Sequence, residues 1–219
     1  MNVRGHFVND LAELKGEVLE LGGMVEQAFT ETIEAIRKKE YSKFDDIIIQ
    51  DSKVNSLELE INEKATLMIA KQQPVASDLR KLIVSLKVSS DLERMGDLSV
   101  DMAKAAQRLT EKENLIQFEE ELLLMASKAH VMIKAVLIAF RDTNTLEAQK
   151  IAGMDDEVDH AYAKFVQSLF EVVAVETGVT EQVMQMAFIA RYIERIADYC
   201  TNIAEWIIYE VNGQRFDLN

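Results

Sequence analysis

Proline occurs once in the 219-residue chain, at Pro74, and cysteine once, at Cys200; aromatic residues make up only 7%. A lone cysteine excludes an internal disulfide framework and fits a reducing compartment. One proline and eight glycines leave little of the punctuation that a strand-rich fold needs, so long helices are expected instead. No stretch of about 18 uninterrupted apolar residues is present, so no membrane-spanning helix is expected. The opening Met1-Asn-Val-Arg-Gly-His6 has no signal-peptide character, which makes a soluble, cytoplasmic protein the expectation. Positive charge is also scarce. Lys and Arg number 24 against 38 Asp and Glu, a formal net charge of −14. Such a surface repels phosphate backbones and suits cations or a basic protein surface, so no nucleic-acid partner is expected.

What is present is ordinary globular composition, 48% hydrophobic and 28% charged, arranged at helical spacing. Phe7, Leu11, Leu14, Val18, Leu21, Val25, Phe29, Ile33 and Ile36 mark a first helix to about Lys39, with Gly22-Gly23 as a weak point or a close-packing site. A second helix starts near Tyr41-Ser42 and stops near Lys71-Gln-Gln-Pro74, because proline disfavours helix in the residue before it. The third runs from Val75–Asp78 to about Leu109, and Thr110–Asn114 is a polar connector. The fourth covers about Leu115 to Arg141 and is broken by Asp142-Thr-Asn-Thr145, which has capping chemistry. The fifth spans Leu146 to Val175, Thr177-Gly178 ends it, and the sixth runs from Thr180 to about Val211. The fold class is all-α.

Three helices, a connector and three more point to a duplication. Asp51-Ser-Lys-Val-Asn55 matches Asp155-Asp-Glu-Val-Asp159 at an offset of 104 residues, and Glu93-Arg-Met-Gly-Asp97 matches Glu194-Arg-Ile-Ala-Asp198 at 101. Two tandem three-helix bundles follow, over residues 1–112 and 113–219.

The matched motifs are acidic. Residues four apart are neighbours on a helix face, so Glu93, Asp97 and Asp101 form one stripe, and Glu194, Asp198 and Asn202 form its counterpart. Like charges at that spacing repel by roughly a few tenths of a kcal/mol per pair, so water, an arginine or a cation has to compensate. On the sixth helix the stripe lies roughly opposite Ile189, Ile193, Ile196, Cys200, Ile203 and Ile207, which places it on a partly covered, partly open face. Asp51 and Asn55 on the second helix, and Asp155 and Asp159 on the fifth, flank apolar stripes and can approach the acidic ones. Two oxygen-rich clusters are expected, one per half, suited to a divalent metal or iron. A merely solvated acidic face is the alternative, with Arg94 and Arg195 forming surface pairs. Residue-by-residue repetition argues against it.

The motif Gln73-Pro-Val-Ala-Ser-Asp-Leu-Arg80, followed by Asp91-Leu-Glu-Arg-Met-Gly-Asp97, resembles the signature of the PhoU family. Tyr192-Ile-Glu-Arg-Ile-Ala-Asp198, running on to Asn202-Ile-Ala-Glu205, is similar to its second-half motif, except that Ala197 stands where glycine is common. The resemblance covers nearly the whole chain. It implies duplicated three-helix bundles and a negative regulator of phosphate uptake and the phosphate-starvation response. The implied partners are the ATPase of a phosphate ABC transporter and its membrane histidine kinase, so any membrane association is peripheral and goes through partners. It also implies metal bound through Glu/Asp-x-x-x-Asp motifs, at Glu93, Asp97, Glu194 and Asp198, with Asp101 and Asn202 as extensions. A homodimer is possible.

An enzyme or a metal-storage protein is the other reading. Glu157-Val-Asp-His160 has the Glu-x-x-His spacing of di-iron carboxylate bundles, but the first half carries Lys53-Val-Asn-Ser56 there, and two such motifs are needed. His160 is expected to face solvent, Cys200 to be a buried small hydrophobe, and the methionines to fill the core. No Walker-type loop or glycine-rich nucleotide fingerprint occurs. No catalytic residue is assigned.

Overall fold

The computed structural model describes residues 3–40, 42–109, 115–175 and 178–218. They form six helices: α1 (Val3–Lys38), α2 (Lys43–Gln72), α3 (Ala76–Ala106), α4 (Ile116–Asp142), α5 (Thr145–Val175) and α6 (Thr180–Asn212). Among the described residues there is no strand. The helix ends follow the local chemistry. Gln73 turns left-handed (φ 46°) as α2 ends, its N–H donating to Ile69 O, and Pro74 prevents continuation. Asn144 Oδ1 accepts the N–H groups of Leu146 (3.1 Å) and Glu147 (3.2 Å), so the capping expected around residues 142–145 is formed and opens α5. Gly213 closes α6 at φ 70°. The expected connector at 110–114 and Thr177 lie outside the described residues.

Helices α1, α2 and α3 pack on one another, as do α4, α5 and α6. The two bundles join chiefly through α3 against α6, with α1 also touching α4. One hydrophobic core runs through both halves. On α6, Ile189, Ile193, Ile196, Cys200, Ile203 and Ile207 are fully buried, each aliphatic side chain contributing roughly 1.5–3 kcal/mol by leaving water. Burial also pushes the Cys200 thiol well above its usual pKa, so it is an inert core residue. Gly22 is a packing site rather than a weak point: a Cβ there would run into the Leu137 side chain, so the glycine lets α1 approach α4.

Helix α4 has no uninterrupted apolar stretch of spanning length, yet one 18-residue window of it is long and apolar enough to cross a membrane by length and composition. Half of that window is buried inside the bundle, which explains the apolarity: α4 packs on α1, α5 and α6 at once.

Candidate functional site

In the second half, α5 supplies Asp155 and Asp159 one turn apart, and α6 supplies Asp198 opposite them. One carboxylate oxygen from each lies within 4.8 Å of the others. Glu194 sits one turn before Asp198 on α6. The set is deeper than its sequence pattern implied, since Asp155 is only 3% exposed and Glu194 8%. The reason is that α5 and α6 cross close together here, so part of the acidic stripe faces its neighbour rather than solvent.

Burial sets the electrostatics. It raises the Glu194 carboxyl to about 7, with the Asp198 charge adding to the effect and Arg191 opposing it. It raises Asp155 to about 6, with Asp198 and Asp159 adding. Asp198 is raised for the same two reasons, burial and then Asp159. Thr201 lies near enough to Asp155 to favour its charged form. Neither the Thr201 hydroxyl nor Asp155 Oδ1 has a partner in full hydrogen-bonding geometry, however. Glu194 Oε2 is likewise buried without a partner, while its Oε1 accepts from Arg191. A buried, unpartnered carboxylate oxygen costs roughly 1–3 kcal/mol or more. Asp155, Asp159 and Asp198 converge in an all-oxygen donor set that fits a hard or borderline divalent cation, with Glu194 one turn along α6 beside it.

The first half brings the equivalent residues together differently. Asp51 and Asn55 lie on α2, and Glu93, Asp97 and Asp101 on α3. Burial, then the Asp97 charge, raises both Asp51 and Glu93. Partners within the half already hold these groups. Asn55 Nδ2 donates to Asp51 Oδ2 (3.1 Å), Arg94 reaches Asp97 (3.2 Å) and Glu93 (3.5 Å), and Lys104 reaches Asp101 (3.4 Å). Gly96 lets α2 settle against α3, since a Cβ would lie 3.2 Å from Val54 Cγ1 and 3.6 Å from Asp51 Oδ1.

Against these geometries the chain compares with known proteins as follows. A family model described as the PhoU domain matches twice, at residues 18–106 and 122–207. The chain belongs to the PhoU family. It is 37% identical over 215 residues to the phosphate-specific transport system accessory protein PhoU homolog of Clostridium acetobutylicum, covering 97% of each chain. It is 34% identical to the phosphate-specific transport system accessory protein PhoU of Escherichia coli, covering 98% of this chain and 89% of that one. Among solved structures, the phosphate transport system regulatory protein PhoU of Streptococcus pneumoniae superposes with a TM-score of 0.89 at 30% identity, over 96% of this chain and 99% of that one. PhoU of Pseudomonas aeruginosa gives 0.88 at 28%, over 95% and 100%.

Both PhoU domains thus carry their acidic residues on the second and third helix. Asn202 continues the α6 stripe and is half-buried. Glu205, one turn further, is taken up by the C-terminal tail: it accepts the Leu218 N–H (2.9 Å) and reaches Arg215 (3.4 Å). His160 is exposed beside Glu157, Lys128 and Lys164, away from the carboxylates, and His130 bonds Thr30 and Glu26 between the bundles (both 3.2 Å). Arg191 and Thr201 escaped the sequence reading. The i, i+3 spacing of Arg191 to Glu194 could have flagged the first, and the i, i+7 spacing of Thr201 to Glu194, beside the acidic stripe, could have flagged the second. Asp91, facing α6 near Trp206 and Glu205, is pushed to about 6 by burial and was visible only as part of a motif.

Proposed function

We propose that this protein is a non-enzymatic accessory regulator of phosphate uptake and the phosphate-starvation response, and that it binds a divalent cation or iron through its acidic clusters. The observation that carries the metal reading is the second-half set, Asp155, Asp159 and Asp198, with the orphaned oxygens of Asp155 and Glu194 beside it. Those side chains would hold the cation, and the first-half residues Glu93, Asp97, Asp101 and Asp51 would offer a weaker place. A bound cation would supply positive charge to a cluster that burial otherwise drives toward protonation.

The transport reading rests on the relatives, which are accessory proteins of a phosphate-specific transport system. We infer cytoplasmic action by contact with a phosphate transporter ATPase and its sensor kinase, and repression rather than activation of the response. A net charge of −14 favours basic docking surfaces, so this contact weakens as salt rises. An enzymatic reading has less support. Among the described residues no histidine joins the carboxylate sets, whereas di-iron catalysis needs a Glu-x-x-His motif from each of two helices. Affinity capture of partners from cells, with elemental analysis of protein purified without chelator, tests the reading. Recovery of the transporter ATPase together with bound metal is expected; metal-loaded protein that turned over a phosphate ester or consumed oxygen would overturn it.

A further inference from the structure

Helix α6 ends at Gly213, whose φ of 70° reverses the chain, and residues 213–218 return toward the middle of α6. The turn is seated on α3. Arg80 Nε donates to the Glu210 carbonyl (3.3 Å), and a Cβ at residue 213 would lie 3.2 Å from Arg80 Nη1. Farther back on α6, Glu205 is only 5% exposed, and the returning segment holds both of its oxygens. Oε1 accepts the Leu218 N–H (2.9 Å), and Oε2 accepts from Arg215 (3.4 Å). The Arg215 guanidinium lies 5.0 Å over the Trp206 ring, with Lys87 Nζ at 5.9 Å and Tyr209 meeting the indole edge-on at 5.8 Å. Leu218 packs against the core, while Phe216 stays exposed.

The duplication supplies a control. At the offset of 101 that relates Glu93 to Glu194, Lys104 and Ala105 stand where α6 has Glu205 and Trp206. Lys104 pairs within its own stripe, with Asp101 (3.4 Å). The second half has a carboxylate beside an indole instead, and one arginine satisfies both: the guanidinium stacks on the ring face while its edge donates to the carboxylate. The resident arginine fits loosely. Its bond to Glu205 is long, and Asp91, which faces Trp206, Lys87, Arg215 and Glu205 from α3, keeps Oδ2 buried without a partner in full hydrogen-bonding geometry. That oxygen is a second acceptor for a better-fitted guanidinium.

We propose that Glu205, Trp206 and Asp91 form a docking site for an arginine-bearing segment of a partner protein, and that residues 213–218 are its internal, displaceable occupant. Arg215 and Leu218 display the pattern the site takes: an arginine followed three residues on by an aliphatic side chain, outside any helix, with a backbone N–H turned to the carboxylate. The segment is tethered to α6 through Gly213 and so competes at high effective concentration. A partner engages only by adding contacts of its own. Closed, the segment covers the Trp206 face and neutralises Glu205. Open, it leaves two carboxylates and an indole, a surface matched to basic segments and to the chain's net charge of −14. A metal ion fits less well here, because Trp206 offers no acceptor and Lys87 stands beside Asp91.

Trp206 is the only tryptophan, so its fluorescence reads the site directly. The probe is the synthetic peptide Gly213-Gln-Arg-Phe-Asp-Leu-Asn219. In a chain ending at Gly213 and confirmed helical by circular dichroism, Trp206 emission should shift to the red, and the peptide should bind and reverse the shift. The peptide with Arg215→Ala should bind roughly tenfold more weakly, as should the unaltered peptide to the shortened chain with Glu205→Gln. The intact chain should take the peptide at least roughly tenfold less tightly than the shortened one, because its own segment competes. Arg215→Ala in the intact chain should narrow that gap, and this variant decides the matter if the shortened chain fails to fold. In native-state hydrogen exchange, the Leu218 N–H of the intact chain should open locally, roughly a hundredfold or more faster than the Ile203 N–H in the α6 core. A folded, shortened chain that ignores the peptide overturns the proposal, as does an intact Arg215→Ala chain that takes it no better than the wild type. So does equal binding of the Arg215→Ala peptide, equal binding by intact and shortened chains, or a Leu218 N–H that exchanges only on global unfolding.

Discussion

Asn55 and Asp159 occupy equivalent places in the two halves, and so do Asp101 and Asn202. Each half therefore carries four carboxylates and one amide on its second and third helices, but the amide has changed helix. In the first half the amide donates to Asp51, and Arg94 and Lys104 satisfy most of what remains. In the second half α5 contributes two aspartates facing Asp198, and two buried carboxylate oxygens are left over. Equal formal charge has produced one cluster that is internally compensated and one that is not. The position of a single amide, and whether basic side chains reach the stripe, separate a paired acidic surface from a cation-ready one.

The largest effect expected from this difference is on metal affinity. Asp155→Asn with Asp198→Asn should lower the tightest divalent-cation affinity by roughly a hundredfold or more, since loss of an outer-shell partner alone typically costs 10–100-fold. Glu93→Gln with Asp97→Asn should remove only a weaker site. Isothermal titration with manganese reads both, and equal losses would erase the distinction between the halves.

Next comes pH. The folded-state pKa values of Glu194 (about 7) and Asp155 (about 6) lie above the unfolded values of roughly 4, so the folded protein binds more protons in between. Their contribution is fully present below about pH 4 and is lost as pH rises through 6 and 7. Chelator-treated protein should therefore lose on the order of 2 kcal/mol between about pH 5 and pH 7.5, after allowing for partial screening. Added cation should restore it, by about 2.7 kcal/mol at a hundredfold excess over its dissociation constant. Urea unfolding across that range checks the sign; apo-protein stability that rises instead would contradict it.

A smaller change makes the first half resemble the second. Asn55→Asp removes the donor that occupies Asp51 and supplies a third facing carboxylate, so first-half affinity should rise about tenfold, or roughly 1.4 kcal/mol. The smallest effect concerns the helix crossing. Gly96→Ala gains about 1 kcal/mol of helix propensity but sets a methyl 3.2 Å from Val54, and should be near neutral. Ala197→Gly loses the propensity and a buried methyl, and should cost about 1–2 kcal/mol in thermal unfolding.

Much of this architecture was legible in advance. Pro74 and the Asn144 cap fixed helix ends, the isoleucine period fixed the buried face of α6, and the repeated motif fixed the duplication. The depth of Asp155 and Glu194 was not legible, because a helical wheel gives azimuth but not how closely the next helix approaches. Arg191 and Lys104 decide which carboxylates remain uncompensated, and they do so through side-chain reach, which spacing alone leaves open.

The most direct measurement is the metal content and cation affinity of the intact protein at pH 7.5, compared with Asp155→Asn/Asp198→Asn, both confirmed folded by circular dichroism. The account predicts a tight divalent-cation site in the wild type that this substitution removes, leaving the first-half site in place. A wild type that binds no divalent cation, or a variant that keeps the tight site, would contradict it.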